Sequence, residues 1–211
     1  MAISTYSELQ TAVQNWLDDT GANVLLAARV QEFIALAEAD ISRRLRTREN
    51  LGTATGNTVS ATATVALPSD FGGVFSLTIT TSDGEKALRQ LAAGVALDGF
   101  YGEGNGEPAY YVVEGANVRL FPTPGGVYSY TLRYWQRLAA LSGTNTSNWL
   151  LTAHPDAYLF GSLVQAELYN VNDLRVPLWQ AKYEAALEQI QMQSISDSIG
   201  RTDMHVEGAT P

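Results

Sequence analysis

The chain is 211 residues long, 45% hydrophobic and 17% charged, with a formal net charge of −9 and no cysteine. That length suits one large domain or two small ones, and the composition reads as globular. The missing thiols exclude disulfides, thiolate metal sites and cysteine nucleophiles and fit synthesis in a reducing compartment, while the acidic balance opposes binding to phosphate backbones. No apolar run approaches the ~20 residues that span a bilayer, and Met1 to Gln10 lacks the basic and apolar regions of a signal peptide. No membrane contact is expected.

Thr5 and Glu8 have the spacing of a capping box. Leu9, Ala12, Val13, Trp16 and Leu17 follow on one helical face. Asp18 to Gly21 reads as a stop and a turn. A longer helix is expected from about Asn23 to Arg48, with the stripe Leu26, Val30, Phe33, Ile34, Ala37, Ile41 and Leu45. The short link makes the two an antiparallel hairpin.

From Asn50 the pattern changes. Gly52 to Asn57 is too rich in Gly and Thr to continue a helix. Val59, Ala61, Ala63, Val65 and Leu67 alternate with polar residues, as do Phe75, Leu77 and Ile79, and later Tyr128, Tyr130, Leu132 and Tyr134. Tyr110 to Val113 and Val118 to Phe121 flank Glu114-Gly115-Ala116-Asn117, a hairpin signal. A short helix is expected near Leu88 to Phe100. Each strand has one apolar face, as an antiparallel sheet covering a core requires.

Helices return after Trp149. Pro155 fits a first helical position, with Thr152 or His154 near the cap. The segment Asp156 to Tyr169 is apolar almost all round, which predicts burial on several sides. Pro177 opens a last helix with the stripe Trp179, Tyr183, Ala186, Leu187 and Ile190, and helicity is expected to fade after about Ser194. The fold class is therefore α+β: a helical bundle of residues 1–50 and 149–198, with an antiparallel β-rich insertion over 51–148 and a flexible tail over 199–211.

The residues offer no catalytic, metal or cofactor constellation. His154 lies at a helix start and His205 in the tail, with no second imidazole at ligand spacing. Gly102 to Gly106 lacks the Gly-Lys-Ser/Thr of a phosphate loop and carries Glu103. Ser162 falls inside a helical pattern rather than a nucleophile elbow. Trp16, Trp135, Trp149 and Trp179 read as core. The strongest charge feature is Arg43, Arg44, Arg46 and Arg48. It complements the end of a helix dipole, and it could also meet acidic surface on a neighbouring subunit or partner. DNA binding fits it poorly: residues 51–148 hold 5 basic and 7 acidic groups, and the remainder 8 and 15, so even the part with the arginines is acidic.

Several stretches together resemble the head-to-tail adaptor (connector or head-completion) proteins of tailed bacteriophages. They are Tyr6-Ser7-Glu8-Leu9 with Trp16-Leu17, the run Ile34 to Arg46, Leu67-Pro68-Ser69-Asp70-Phe71 and Tyr110 to Gly115. Leu120-Phe121-Pro122-Thr123-Pro124, Leu132-Arg133-Tyr134-Trp135, Trp149-Leu150-Leu151 and His154 to Leu159 complete them. Order and spacing carry the match, which spans most of the chain. The resemblance implies a virion protein made in the host cytoplasm. Such subunits form a homo-oligomeric ring, twelve to a ring, that binds the portal above and tail or nozzle proteins below. Genomic DNA would pass through its channel without sequence-specific binding. Arg43, Arg44, Arg46 and Arg48, with the sparse apolar residues Ile195, Ile199, Met204 and Val206, are the expected contacts to neighbours and portal. The alternatives are a tail completion or terminator protein, and a non-viral binding module with a ligand pocket in the β-insertion.

Overall fold

A computed structural model of the chain describes residues 3–17, 24–92, 104–170 and 174–199; for 24–28, 198 and 199 it describes the backbone alone. The chain is mixed α+β and divides into two compact units, 1–49 with 138–211, and 50–137.

Among the described residues the first unit holds five α-helices: α1 (Tyr6–Trp16), α2 (Val24–Arg44), α3 (Trp149–Ala153), α4 (Pro155–Tyr169) and α5 (Val176–Ile199). The box at the start of α1 is complete. Thr5 Oγ1 accepts from the Glu8 amide (3.3 Å) while Glu8 Oε2 accepts from the Thr5 amide (2.9 Å), so two helix-end donors are satisfied by one local pair. α2 stops at Arg44, four residues before the expected end, and a single 3-10 turn, Arg48–Asn50, follows. α5 continues to Ile199 rather than fading near Ser194.

The helices share one core, with Leu9 and Val13 of α1, Ile34 and Ile41 of α2, Leu163 of α4 and Leu187 of α5 all buried in it. α4 is buried on several sides, as its composition predicts. A side chain at Gly161 would meet both the Tyr183 ring at 3.0 Å and the Ala37 Cβ at 3.2 Å, so α4 touches α5 and α2 at the same level.

Residues 138–148, read with the strands in the sequence, pack with the helices instead. The Leu138 amide donates to Ser42 Oγ (3.4 Å), the Leu141 amide to Glu38 Oε1 (2.8 Å), and the Tyr6 amide to the Thr146 carbonyl (2.7 Å).

Among the described residues the second unit holds ten strands: β1 (Leu51–Asn57), β2 (Thr64–Ala66), β3 (Phe71–Thr81), β4 (Gly84–Ala87), β5 (Arg89–Gln90), β6 (Asn105–Gly106), β7 (Tyr110–Glu114), β8 (Asn117–Phe121), β9 (Thr123–Pro124) and β10 (Ser129–Gln136). They form sheets ordered β1-β10-β3-β4 and β2-β8-β7-β5, and a small pair β6-β9. Pairing is antiparallel except for two short parallel ladders, β5 with β7 and β6 with β9, so the unit is not wholly antiparallel. The first two sheets contribute to one core, with Leu77, Ile79 and Leu132 from the first and Tyr111, Val118 and Leu120 from the second. The hairpin β7–β8 turns through Gly115 at φ 60, where a side chain would be strained.

Three expectations for this unit are corrected. Leu88 to Phe100 does not begin a helix: Arg89–Gln90 pairs as a strand beside Tyr110–Tyr111, and 93–100 lie outside the described residues. Val59 to Leu67 is not one strand. Ala61 takes φ 59 in a turn, Val59 is exposed, and only Thr64–Ala66 pairs. Phe75 does not share the buried face of Leu77 and Ile79. Arg133 pairs with Ser76 and Tyr134 with Val74, so Phe75 is the extra residue of a β-bulge. The alternation shifts by one there, and Val74 packs against the core while Phe75 is 51% exposed.

Candidate interaction site

The arginine cluster at the end of α2 splits into two pairs. Arg44 forms an ion pair with Glu184 of α5, reaches Asp40 at 3.4 Å, and lies 5.6 Å from the centre of the Tyr183 ring. The Tyr183 hydroxyl in turn donates to Asp40 Oδ2 at 2.9 Å. The hydrogen bond to Glu184 raises Arg44 above its ordinary value, and the same bond lowers the Glu184 carboxyl. Arg48 is tied to α5 as well: its amide donates to Ser194 Oγ (2.9 Å) and its guanidinium lies 3.4 Å from Asp197. The Gln191 side chain donates from Nε2 to the Arg44 carbonyl at 3.2 Å, satisfying a helix-end acceptor. These two arginines therefore hold α2 against α5 within one subunit.

Arg43 and Arg46 are both exposed and free of such ties. Arg43 reaches its own helix at Asp40 (3.3 Å), and Arg46 makes no ion pair among the described residues. Two cations at the end of α2 favour the helix dipole and leave a positive edge facing outward on an acidic chain. Of the apolar contacts expected from sequence, Ile195 is exposed on α5. Ile199 ends α5, its side chain outside the description, and Met204 and Val206 lie outside the described residues.

Sequence reasoning missed a polar node inside the helical unit. Glu38, 8% exposed, accepts from the Leu141 amide and, at 2.9 Å, from the Tyr158 hydroxyl, which itself accepts from Asn148 Nδ2 at 2.6 Å. Burial raises the Glu38 carboxyl, against those two donors. Burial, then the Glu38 charge, raises Tyr158. Glu38 follows Ala37 inside the apolar stripe of α2, and a carboxylate at a stripe position was the available signal.

Ser162 is buried in α4, and its hydroxyl has no hydrogen-bond partner among the described residues. His154 joins α3 to α4 and makes no capping bond with its side chain; Asn148 instead caps α3, accepting from the Leu151 amide at 2.9 Å. Asn105–Gly106 pairs as a strand with Thr123–Pro124, and Glu107 meets Lys86 at 2.6 Å. Trp149 and Trp179 are partly buried against the helical core, as expected, whereas Trp16 and Trp135 are not part of either core. Trp135 sits on the solvent side of β10, since its neighbour Tyr134 takes the inward position, and it meets Phe75 edge-on at 5.5 Å. Trp16 is half exposed against Phe160 and Trp179.

Between the two larger sheets is a cavity of about 10 Å³, lined by Val65, Leu77, Ile79, Val118, Leu120, Tyr130 and Leu132. That is room for about one water, where small-molecule sites need a few hundred Å³. Among the described residues no group of three or more acidic or histidine side chains could hold a metal, and no helix is long and apolar enough to cross a membrane.

Residues 4–205 match the family model described as SU10 adaptor protein. The chain belongs to that family of phage head–tail adaptors. No curated protein sequence matches it. Against the adaptor family, the outward Arg43 and Arg46 and the exposed Ile195 are surface features of a protein that associates with other phage head or tail proteins.

Proposed function

We propose that this chain is a structural virion protein, the adaptor subunit of a closed ring of twelve copies beneath the portal. The ring joins capsid to tail and extends the channel through which the genome leaves. The family match over residues 4–205 carries this reading. In it, the helices at the two ends of the chain make one bundle, and the strands are an insertion into it. Closed rings need heterologous contacts, one face of a subunit on a different face of the next. Arg43, Arg46 and Ile195 are candidates for such contacts, whereas Arg44 and Arg48 act within the subunit. Residues 199–211, with Ile199, Met204 and Val206, are proposed to contact the portal.

The acidic balance of −9 serves this role. A wall that attracted DNA would hold it, and an acidic wall lets it slide. The family favours an adaptor over a tail terminator, and the small size of the cavity between the sheets disfavours a ligand-binding module. Adaptors work by assembly, and the reading assigns no reaction to this chain. Mixing the purified subunit with its portal and counting mass by light scattering tests the proposal. A complex of twelve subunits on one portal is expected, and a subunit that never exceeds a dimer with portal present would overturn it.

A further inference from the structure

We infer that the outer face of α5 is the seam between subunits, and that its occupant is the outer face of α2 on a second copy of this chain. The inference rests on the ring reading and names the surfaces that make the ring.

α5 is apolar on two opposite sides. Tyr183, Ala186, Leu187 and Ile190 are buried in the core. Leu178, Ala181, Ala185, Glu188, Met192 and Ile195 all face solvent, with Met192 72% and Ile195 59% exposed. Their steps alternate three and four residues, the spacing that lines up one seam along a helix for a second helix to cover. A solvent-facing helix side has no need of that pattern.

α2 presents a matching face. Glu32, Leu36, Ala39 and Arg43 are exposed at the same kind of spacing, and Arg46 follows. Beside them runs an open groove of about 360 Å³ lined by Tyr6, Ala35 and Leu141 among others, with Glu32 at its side. Small residues at Ala35 and Ala39 let another helix approach closely, and the groove can take its larger side chains. The charges match as well. Glu188 is the one charged residue of the α5 stripe and has no cation partner among the described residues, while Arg43 and Arg46 are the outward cations at the end of α2. α4 contacts both helices, and a side chain at Gly161 would meet the two at once, so α2 and α5 lie side by side on α4 and each keeps an outer face of its own. A contact between two unlike faces joins subunits head to tail, which builds a ring where the rotation closes, rather than a two-fold dimer.

The test uses the full chain with its own portal. The protein has no cysteine, so Ala39→Cys with Ala185→Cys introduces the only two thiols. A short bis-maleimide should convert portal-bound subunits into a ladder that reaches the full ring. Charge reversal is the second arm. Glu188→Arg should lower ring assembly by about tenfold or more, because like charges then face each other, and adding Arg43→Glu with Arg46→Glu should restore most of it. The melting temperature of each variant should match the parent. Rings that form yet give no ladder, or that tolerate Glu188→Arg, would overturn the seam while leaving the ring reading intact. A dimer as the largest product of Ala185→Cys alone would mean that two α5 helices pair with each other, which also overturns it. Failure of the parent chain to assemble on the portal would remove the ring reading and the seam together.

Discussion

The Tyr158 hydroxyl of α4 donates to the Glu38 carboxylate of α2 across 2.9 Å, in a site where the tyrosine is fully buried. The same carboxylate oxygen takes the Leu141 amide, so one acidic residue fixes the path by which the chain returns from strands to helices. An isolated buried carboxylate is costly, and this one is sustained by two donors rather than by a cation.

Glu38 gives the first prediction, a pH dependence with a definite sign. Burial raises its carboxyl in the folded state, so the native protein holds that proton more tightly than the unfolded chain. Its contribution to stability is greatest below the unfolded carboxylate value and falls as pH rises toward the folded one. Glu8, Glu49 and Glu184 are lowered and act oppositely, losing stability as pH falls. Comparison with Glu38→Gln isolates the one site. The parent should gain stability relative to Glu38→Gln on acidification through that window, read by thermal unfolding. Glu38→Ala, which leaves Leu141 and Tyr158 without their acceptor, should cost about 2–4 kcal/mol at neutral pH.

The second prediction separates the arginines. Arg44→Ala loses the Glu184 pair and the Tyr183 ring contact and should destabilise the subunit by about 1 kcal/mol, since such half-exposed contacts are individually modest. Arg43→Ala should fall within about 0.5 kcal/mol of the parent. Denaturant unfolding of both variants checks the contrast, and equal effects would mean that the clamp at Arg44 is not formed.

The third concerns the bulge in β3. Val74→Asp should cost about 2 kcal/mol or more, because Val74 packs on the core of the strand unit. Phe75→Ser should cost about 1 kcal/mol or less, the worth of its edge contact with Trp135. Simple alternation along Phe75, Leu77 and Ile79 predicts the reverse ranking, so the pair of melting curves decides between the two registers.

The fourth concerns the end of the chain. Deleting residues 200–211, which hold only Met204 and Val206 as larger apolar anchors, should leave thermal unfolding of the subunit unchanged and weaken its attachment to the portal. Unchanged attachment in a pull-down with the portal would remove the end of the chain from the interface.

What was legible in the sequence was local or strictly periodic. The Thr5–Glu8 box needs only four consecutive residues, the hairpin around Gly115 needs one turn, and the all-round apolar α4 announces its own burial. What was not legible depends on contacts distant in sequence. The bulge at Phe75 is set by how β10 pairs with β3, some sixty residues apart, and β5 exists because Tyr110 and Tyr111 lie beside it. Residues 138–148 read with the strands in the sequence, and pack with the helices because Glu38, about a hundred residues earlier, supplies an acceptor for the Leu141 amide. At the candidate site, the four arginines were legible as a cluster, but their division was not. Arg44 and Arg48 turn inward because Glu184, Ser194 and Asp197 of α5 come alongside, which no local spacing encodes.

We propose that this chain is the ring subunit at the head–tail joint, and cryo-electron microscopy of intact virions is the decisive experiment. A twelve-subunit ring of this chain is expected in contact with the portal, with the DNA channel continuing through it. Finding the chain at the far end of the tail tube, or absent from the particle, would contradict it.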